Sequence, residues 1–148
     1  MPTDRDLHAL ERLSLELGGA RNALDDRLGI EYIEATFDRV VARMPVEGNT
    51  QVYGVLHGGA SGVLAESIGS CLAAIHAGPG RVAVGIELNA SHHRPAVAGY
   101  VTGVATVAHV GSTLVTSDVV ISDEQDRRVC TARVTSIMRD RPATTPKA

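Results

Sequence analysis

One long helical segment constrains this sequence more than any other feature. Residues 57–77, HGGASGVLAESIGSCLAAIHA, form the longest helical pattern in the chain, and Gly78-Pro79-Gly80 ends it. Its apolar residues are spread around the whole circumference, which is typical of a helix that is buried on nearly all sides. A fold that contains this helix must therefore cover most of its faces.

The segments on either side of this helix predict β-strands that could provide the cover. Residues 30–36 and 37–44 are rich in β-branched and apolar residues and predict two strands before the helix. Residues 81–92, 99–109, 113–122 and 128–138 predict four strands after it. Alternation of apolar and polar residues over 82–91 indicates a half-buried strand. The short connections at 110–112 and 123–126 predict antiparallel hairpins.

The order of these elements predicts an α+β fold with an antiparallel sheet of about six strands wrapped around one long central helix. The 148 residues suffice for one domain, which we place at residues 28–139. Residues 1–27 are expected to be an N-terminal helical segment, with leucines at helical spacing from Leu7 to Leu17. Residues 140–148 are expected to be a disordered tail.

Charge and cysteine content exclude several classes of function. A formal net charge of -3 disfavours nucleic acid or an anionic membrane surface as the main partner. No run of signal-peptide length is present near the N-terminus, and no stretch approaches the ~18 to 20 apolar residues of a membrane span. A cytoplasmic protein is expected. Cys71 and Cys130 lie in apolar stretches without metal-type spacing and predict two reduced, buried thiols.

Glu66 is the candidate for chemistry, because it is the single acidic residue between Gly58 and Ile75. Burial of a lone carboxylate is unfavourable and needs compensation. The residues three and four positions away include Gly62, Gly69 and Ser70, and such small side chains let a ligand or another backbone approach. Ser70 could also hydrogen-bond to Glu66 or to a water between them. Alternatively, the small residues serve tight packing, and Glu66 pairs with an arginine on a strand.

The start of the same helix offers groups that suit hydrolysis. Gln51 and His57 flank it, and Gly58-Gly59 expose backbone N–H groups in the first turn. These donors and the partial positive charge of a helix N-terminus favour an oxyanion or a polarised carbonyl. A carboxylate, a serine, a glutamine, a histidine and backbone donors therefore occur within about twenty residues.

Two long motifs carry a family resemblance. QVYGVLHGGASGVLAESIGS, followed by VGIELNASHHRPA, resembles the hotdog-fold acyl-CoA thioesterases of the phenylacetate-degradation type. The nearest branch is that of the enterobactin-pathway proofreading thioesterase and the 1,4-dihydroxy-2-naphthoyl-CoA hydrolase. The resemblance covers roughly residues 28–138. It implies hydrolysis of an acyl-CoA thioester with an aromatic or related acyl group, with coenzyme A as part of the substrate and no further cofactor.

The resemblance also implies roles for single residues. Glu66 matches the catalytic carboxylate, which acts as nucleophile or as general base, and Ser70 matches the residue that helps to hold the attacking water. Gln51 and His57 match polar groups that line the thioester site, and the Gly58 N–H matches the donor that polarises the carbonyl. In the family, Glu66 and Ser70 come from one subunit and the other three from its mate. A homo-oligomer with shared sites, a dimer or a dimer of dimers (homotetramer), is therefore implied.

A second set of residues falls where the family contacts coenzyme A, namely Gly85, His92, His93, Arg94, Pro95, His109, Gly111 and Ser112. A cationic, hydrogen-bonding patch suits nucleotide phosphates. Ser112 stands where some relatives have a cationic residue, which leaves phosphate binding at that position open. His92 and His93 are not expected to bind a metal, because adjacent strand residues point to opposite faces and no third ligand is evident.

Two other functions remain as alternatives. A hotdog dehydratase or hydratase would need an acid/base pair aimed at the α and β carbons of the acyl group, and no His/Asp pair in the sequence suits that role. A non-catalytic acyl-CoA-binding domain would tolerate the loss of Glu66, and nothing in the sequence marks such a loss. A thioester hydrolysis assay distinguishes the thioesterase hypothesis from these two alternatives.

Overall fold

The computed structural model describes residues 22–142 and contains the predicted long helix and six strands, preceded by a short helix that lies largely within the segment expected to be helical, residues 1–27. In chain order they are α1 (Ala23–Leu28), β1 (Glu31–Ala35), β2 (Arg39–Pro45), α2 (Gly58–Ala77), β3 (Arg81–His92), β4 (Tyr100–Val110), β5 (Leu114–Asp123) and β6 (Arg128–Asp140). Helix α1 extends across the predicted start of the domain at residue 28. The predicted limits of the domain, residues 28 and 139, stay predictions. The helix expected around Leu7–Leu17 and the tail from residue 143 onward lie outside the described residues.

All six strands form one antiparallel sheet in the order β1-β2-β4-β5-β6-β3. The hairpins predicted at 110–112 and 123–126 are present. Strand β3 pairs with β6 at the edge of the sheet, although β4 follows it in the chain. The connection between β3 and β4 runs past the start of α2, where the Leu56 N–H donates to the Ala96 carbonyl at 2.8 Å. This crossing places the β3–β4 connection beside the helix N-terminus.

Helix α2 packs across the sheet and forms the centre of the core. Leu64, Ile68 and Leu72 are fully buried, and they pack in one apolar cluster with strand residues that include Val40, Met44, Val101, Val119 and Ile121. The core is therefore aliphatic, as the absence of tryptophan predicts. The predicted α+β architecture, a six-stranded antiparallel sheet with one long central helix, is confirmed.

Both ends of α2 have local causes. His57 is the N-cap, and its Nδ1 accepts a hydrogen bond from the Gly59 N–H at 2.8 Å. Gly78 ends the helix with a φ of 73°, a conformation that glycine adopts without steric cost, and its N–H donates to the Ala74 carbonyl. His57 thus lies just outside the helix as its cap.

The length and composition of α2 would be enough for a membrane span, contrary to the expectation that no segment approaches this limit. Half of its most apolar stretch is buried inside the domain. The core helix of a soluble domain has the same length and composition, because a helix that is covered by its own sheet must also be apolar on most sides.

Candidate active site

The Glu66 carboxylate lies against the backbone of Gly85 on the edge strand β3. A methyl group at position 85 would overlap Oε1 of Glu66, and its carbon would lie 3.0 Å from Cδ. The side chain of Glu66 is partly buried. None of the ion pairs or hydrogen bonds within residues 22–142 involves its carboxylate. The alternative in which Glu66 pairs with a strand arginine is therefore not what the described part of the chain shows.

The small residues around Glu66 have different roles. A methyl group at Gly69 would lie only 2.9 Å from Cβ of Val134 on β6, so glycine is needed there for close contact between helix and sheet. At Gly62 the nearest atom would be Cδ2 of Leu88 at 3.6 Å, an ordinary contact. Ser70 is partly buried and makes no direct hydrogen bond to Glu66 in the structure. The tight-packing explanation thus holds for Gly69, and a water between Ser70 and Glu66 stays a prediction.

A polar cluster around the buried Asp25 joins α1, β1 and α2 at Ser67, the residue after Glu66. The Ser67 hydroxyl donates to Asp25 Oδ1 at 2.6 Å, and the Tyr32 hydroxyl donates to Asp25 Oδ2 at 3.1 Å. Burial, with the nearby Asp25 charge, raises the pKa of the Cys71 thiol to about 12. Burial also raises the pKa of Tyr32. Cys71 is therefore a neutral thiol at physiological pH and a poor nucleophile.

A cleft of about 360 Å³ opens at the start of α2 and contains much of the predicted second set. Its walls include the predicted residues Gln51, Gly58, His92, His93, Arg94 and Pro95. They also include residues that the sequence did not single out, namely Val55, Leu56, Ser61, Ala96 and Val129. The apolar residues of this group could not be distinguished from core residues in the sequence, because the spacing of apolar positions along the chain is the same for both.

Gly58 presents a free backbone donor to this cleft. Its N–H has no acceptor among residues 22–142, whereas those of Gly59 and Ala60 are bound to Nδ1 and the carbonyl of His57. A methyl group at Gly58 would lie 2.9 Å from Nε2 of His92, so glycine also admits that imidazole. Since Nδ1 of His57 accepts a hydrogen bond, a neutral His57 carries its proton on Nε2 and offers a donor there.

Gln51 and His93 in the cleft are held by short local contacts, whereas the Arg94 side chain has none with a described residue. Oε1 of Gln51 accepts from the Tyr53 N–H in the tight turn before the helix, which leaves the amide NH2 as a donor. Nε2 of His93 lies 2.9 Å from Oγ1 of Thr131, which also accepts from Arg128. Arg94 is exposed and forms no ion pair with a described residue. The cleft therefore has an unpaired guanidinium at its rim.

One chain does not bring all predicted residues together. His109, Gly111 and Ser112 lie around the β4–β5 hairpin, near the start of β3, whereas the cleft lies at its end. Arg81, which the sequence analysis did not identify, donates to the Ser112 carbonyl at 2.9 Å and places a cation beside that serine. The residues around the β4–β5 hairpin and the residues of the cleft are therefore separated by most of the length of β3, about 25 Å or more at ~3.3 Å per residue.

Glu66 is also separated from the helix start in the same chain. About 12 Å of helix rise lies between Gly58 and Glu66, at 1.5 Å per residue. The cleft lining includes neither Glu66 nor Ser70. Among residues 22–142, no group of three or more His, Cys, Asp or Glu side chains is placed to hold a metal ion.

Comparisons with known proteins identify the family. The sequence pattern of the family described as Thioesterase superfamily matches residues 53–130. The proofreading thioesterase EntH of Cronobacter turicensis is 44% identical over 114 residues, which are 76% of this chain and 83% of EntH. The chain belongs to the thioesterase superfamily. Its predicted class, a thioester hydrolase, and its resemblance to the enterobactin proofreading thioesterase are thereby confirmed.

Solved structures agree with this assignment. A thioesterase of Staphylococcus aureus, with a glutamine replaced by alanine, is 28% identical with a TM-score of 0.77, over 80% of this chain and 99% of that chain. The same protein was also solved with a glutamate replaced by alanine. The PaaI protein from the phenylacetic acid degradation operon of E. coli shares the fold, with a TM-score of 0.80 at 24% identity over 90% of this chain and 95% of that one.

Proposed function

We propose that this thioesterase hydrolyses an acyl-CoA thioester to the free acid and coenzyme A, with Glu66 as its catalytic carboxylate. The observation that carries the proposal is the carboxylate of Glu66, partly buried against Gly85 and without an ion-pair partner among residues 22–142. A contribution to the stability of the fold does not explain a carboxylate at this position, because a desolvated charge without a partner is unfavourable. It is well suited to attack a carbonyl or to take a proton from water.

The donors at the start of α2 supply the complementary chemistry. The free Gly58 N–H at the positive end of the helix would stabilise the charge that develops on the thioester oxygen. The Gln51 amide and His57 Nε2–H offer further donors nearby. Since Gly58 and Glu66 lie about 12 Å apart along one helix, the proposal takes these donors from a second copy of the chain. Glu66 and Ser70 of one subunit would then face Gln51, His57 and Gly58 of its mate.

The variants of the S. aureus thioesterase support the pairing of these residue types. The glutamine and the glutamate that were replaced there are separated by the same number of positions as Gln51 and Glu66 in this chain. This equality of spacing favours Gln51 and Glu66 as parts of one site.

Coenzyme A would bind through the cleft, where Arg94 lies beside His92 and His93 and has no ion-pair partner among residues 22–142. A guanidinium and two imidazoles fit the phosphates of a nucleotide better than they fit an apolar acyl chain. Arg81, next to Ser112, could supply a cation to the second group of predicted residues, formed by His109, Gly111 and Ser112. The substrate carries the coenzyme, so the reaction requires no separate cofactor.

The decisive experiment is Glu66→Gln. General-base assistance alone contributes about 10²- to 10⁴-fold, so kcat should fall at least ~100-fold in a variant that keeps size and most hydrogen bonding. The melting temperature and the affinity for coenzyme A should change little. Turnover and thermal unfolding are measured on the same preparation. A variant that unfolds at a lower temperature but keeps its rate would show that Glu66 is structural, and the proposal would fail.

The acyl group is proposed to be aromatic or a related group, as the motif resemblance implies. A panel of benzoyl-, hydroxybenzoyl-, phenylacetyl-, dihydroxynaphthoyl- and palmitoyl-CoA should give higher kcat/KM for the aromatic thioesters. Because discrimination between acyl groups depends on differences in transition-state binding, kcat/KM is the quantity to compare. A preference for palmitoyl-CoA would contradict the aromatic assignment without affecting the role of Glu66.

A further inference from the structure

Two buried serine hydroxyls have no hydrogen-bond partner among residues 22–142. They are Oγ of Ser117 on β5 and Oγ of Ser136 on β6, and each residue is 1% exposed. Buried hydroxyl groups are normally hydrogen-bonded, since desolvation without a partner is unfavourable. An alanine would avoid that cost at both positions, so each serine requires an explanation.

Ser136 lies beside the place where Glu66 meets the sheet. In the pairing of β3 with β6, Gly85 is directly opposite Ser136. Directly opposite residues of an antiparallel pair project from the same face, with Cβ atoms about 4.5–5.5 Å apart. Oε1 of Glu66 lies beside the position that a Cβ at Gly85 would take. By this register, Ser136 and the Glu66 carboxylate are neighbours on the same face of the β3–β6 pair, within reach of one bridging water.

We propose that Ser136 is a positioning residue for Glu66. Its hydroxyl donates a hydrogen bond to one water that in turn donates to the Glu66 carboxylate, and this bridge holds the carboxylate against Gly85. A donor to the carboxylate stabilises the ionised form and limits the rotamers of a side chain that has no other partner among residues 22–142. This inference rests on the proposed function, because it assumes that the ionised Glu66 reacts.

Ser117 provides the matched control. It has the same side chain, the same burial and the same lack of a partner. It pairs with Val134 on β6 and lies one strand further from β3 than Ser136 does. Two strand spacings, about 10 Å, separate its strand from that of Gly85. Its hydroxyl is thus too far away to hold the same carboxylate.

The experiment compares four variants of the full chain, Ser136→Ala, Ser136→Thr, Ser136→Val and Ser117→Ala. A hydrogen bond to a charged group is commonly worth a change of about tenfold or more in an equilibrium or a rate. Ser136→Ala should therefore lower kcat about tenfold with KM changed less than about twofold. Thr and Val have nearly the same shape, so the Thr variant should keep most of the rate and the Val variant should lose it. Ser117→Ala should match the wild type.

Each outcome decides the inference. Wild-type kcat in Ser136→Ala, or equal kcat in the Thr and Val variants, would overturn it, as would equal losses in Ser136→Ala and Ser117→Ala. If Glu66→Gln is inactive in the same assay while Ser136→Ala is unchanged, only the positioning role fails. If Glu66→Gln keeps its rate, the proposed function fails with it. Should Ser136→Ala unfold, the comparison of Thr with Val still tests the hydroxyl alone.

Discussion

At the scale of single residues, the carboxylate of Glu66 on α2 has different surroundings from that of Glu34 on β1. Glu34 forms a bidentate pair with Arg39 at 2.8 Å, in which Arg39 is exposed and Glu34 is partly exposed. Such surface pairs change stability by at most about 1 kcal/mol and are screened by salt. The carboxylate of Glu66 lies beside the backbone of Gly85 and not beside a cation. A partly buried carboxylate that lacks a cation among residues 22–142 does not favour stability, which supports a functional role.

Arg94 gives the residue-scale prediction. Its guanidinium is exposed at the cleft and has no ion pair with a described residue, so we expect it to bind phosphate in ground state and transition state alike. Arg94→Ala should then raise KM more than it lowers kcat, and the effect should shrink with a pantetheine thioester that lacks the nucleotide. Steady-state kinetics on both substrates measure this. Arg39→Ala, which removes a paired surface arginine, is the control, and equal losses on both substrates would make Arg94 structural.

The residues of the candidate site differ in how far they could be predicted from the sequence. Glu66 could be identified because an isolated acid in an apolar helix is a local feature of the sequence. Ser136 and Arg81 could not, because their proximity to Glu66 and Ser112 depends on strand register and on a hairpin end. Register follows from contacts between residues far apart in the chain, and a single sequence does not show which strand is the neighbour of which.

At the scale of elements, helix α2 and strand β3 hold the site between them through glycines on both. The ends of α2 and of the strands were predicted within about two residues, since caps, turn residues and periodicity are local signals. The position of β3 next to β6 was not predicted. That pairing is what brings Gly85 under the Glu66 carboxylate, so the contact between helix and edge strand required the structure.

Two glycine variants, one where α2 packs on β6 and one where it meets β3, should separate stability from turnover. In Gly69→Ala the new methyl would meet Cβ of Val134 at 2.9 Å, and overpacking of this kind costs about 1–3 kcal/mol, offset partly by a helix gain of roughly 0.5–1 kcal/mol. Its melting temperature should fall. In Gly85→Ala the methyl meets the flexible end of Glu66, so we expect near-normal stability and a kcat at least ~10-fold lower. Calorimetry and kinetics on both variants test this, and loss of stability in Gly85→Ala with unchanged kcat would contradict it.

At the scale of the whole molecule, the sheet has two edges, β1 and β3, and they differ in length. Strand β3 has 12 residues and carries exposed Val84, Ile86 and Leu88, whereas β1 has 5 residues. A long edge strand with apolar side chains is a template for pairing with another chain. The residues assigned to the thioester site are also too far apart along α2 to act within one copy. The first observation favours β3 as the place where two copies meet, and the second favours a site that is shared between copies.

We therefore expect the protein to form at least a dimer through β3, with activity that depends on it. Ile86 on β3 and Ile33 on β1 make a matched pair, because they are 57% and 59% exposed and each lies at a register shift of its edge strand. A lysine on an edge strand opposes pairing with a second chain. Ile86→Lys should shift the mass measured by light scattering towards the monomer and lower kcat in parallel, whereas Ile33→Lys should leave both unchanged. Circular dichroism verifies that both variants fold. A wild-type protein that is strictly monomeric and fully active would refute the shared site, because Gly58 and Glu66 of one chain would then have to act across about 12 Å of helix.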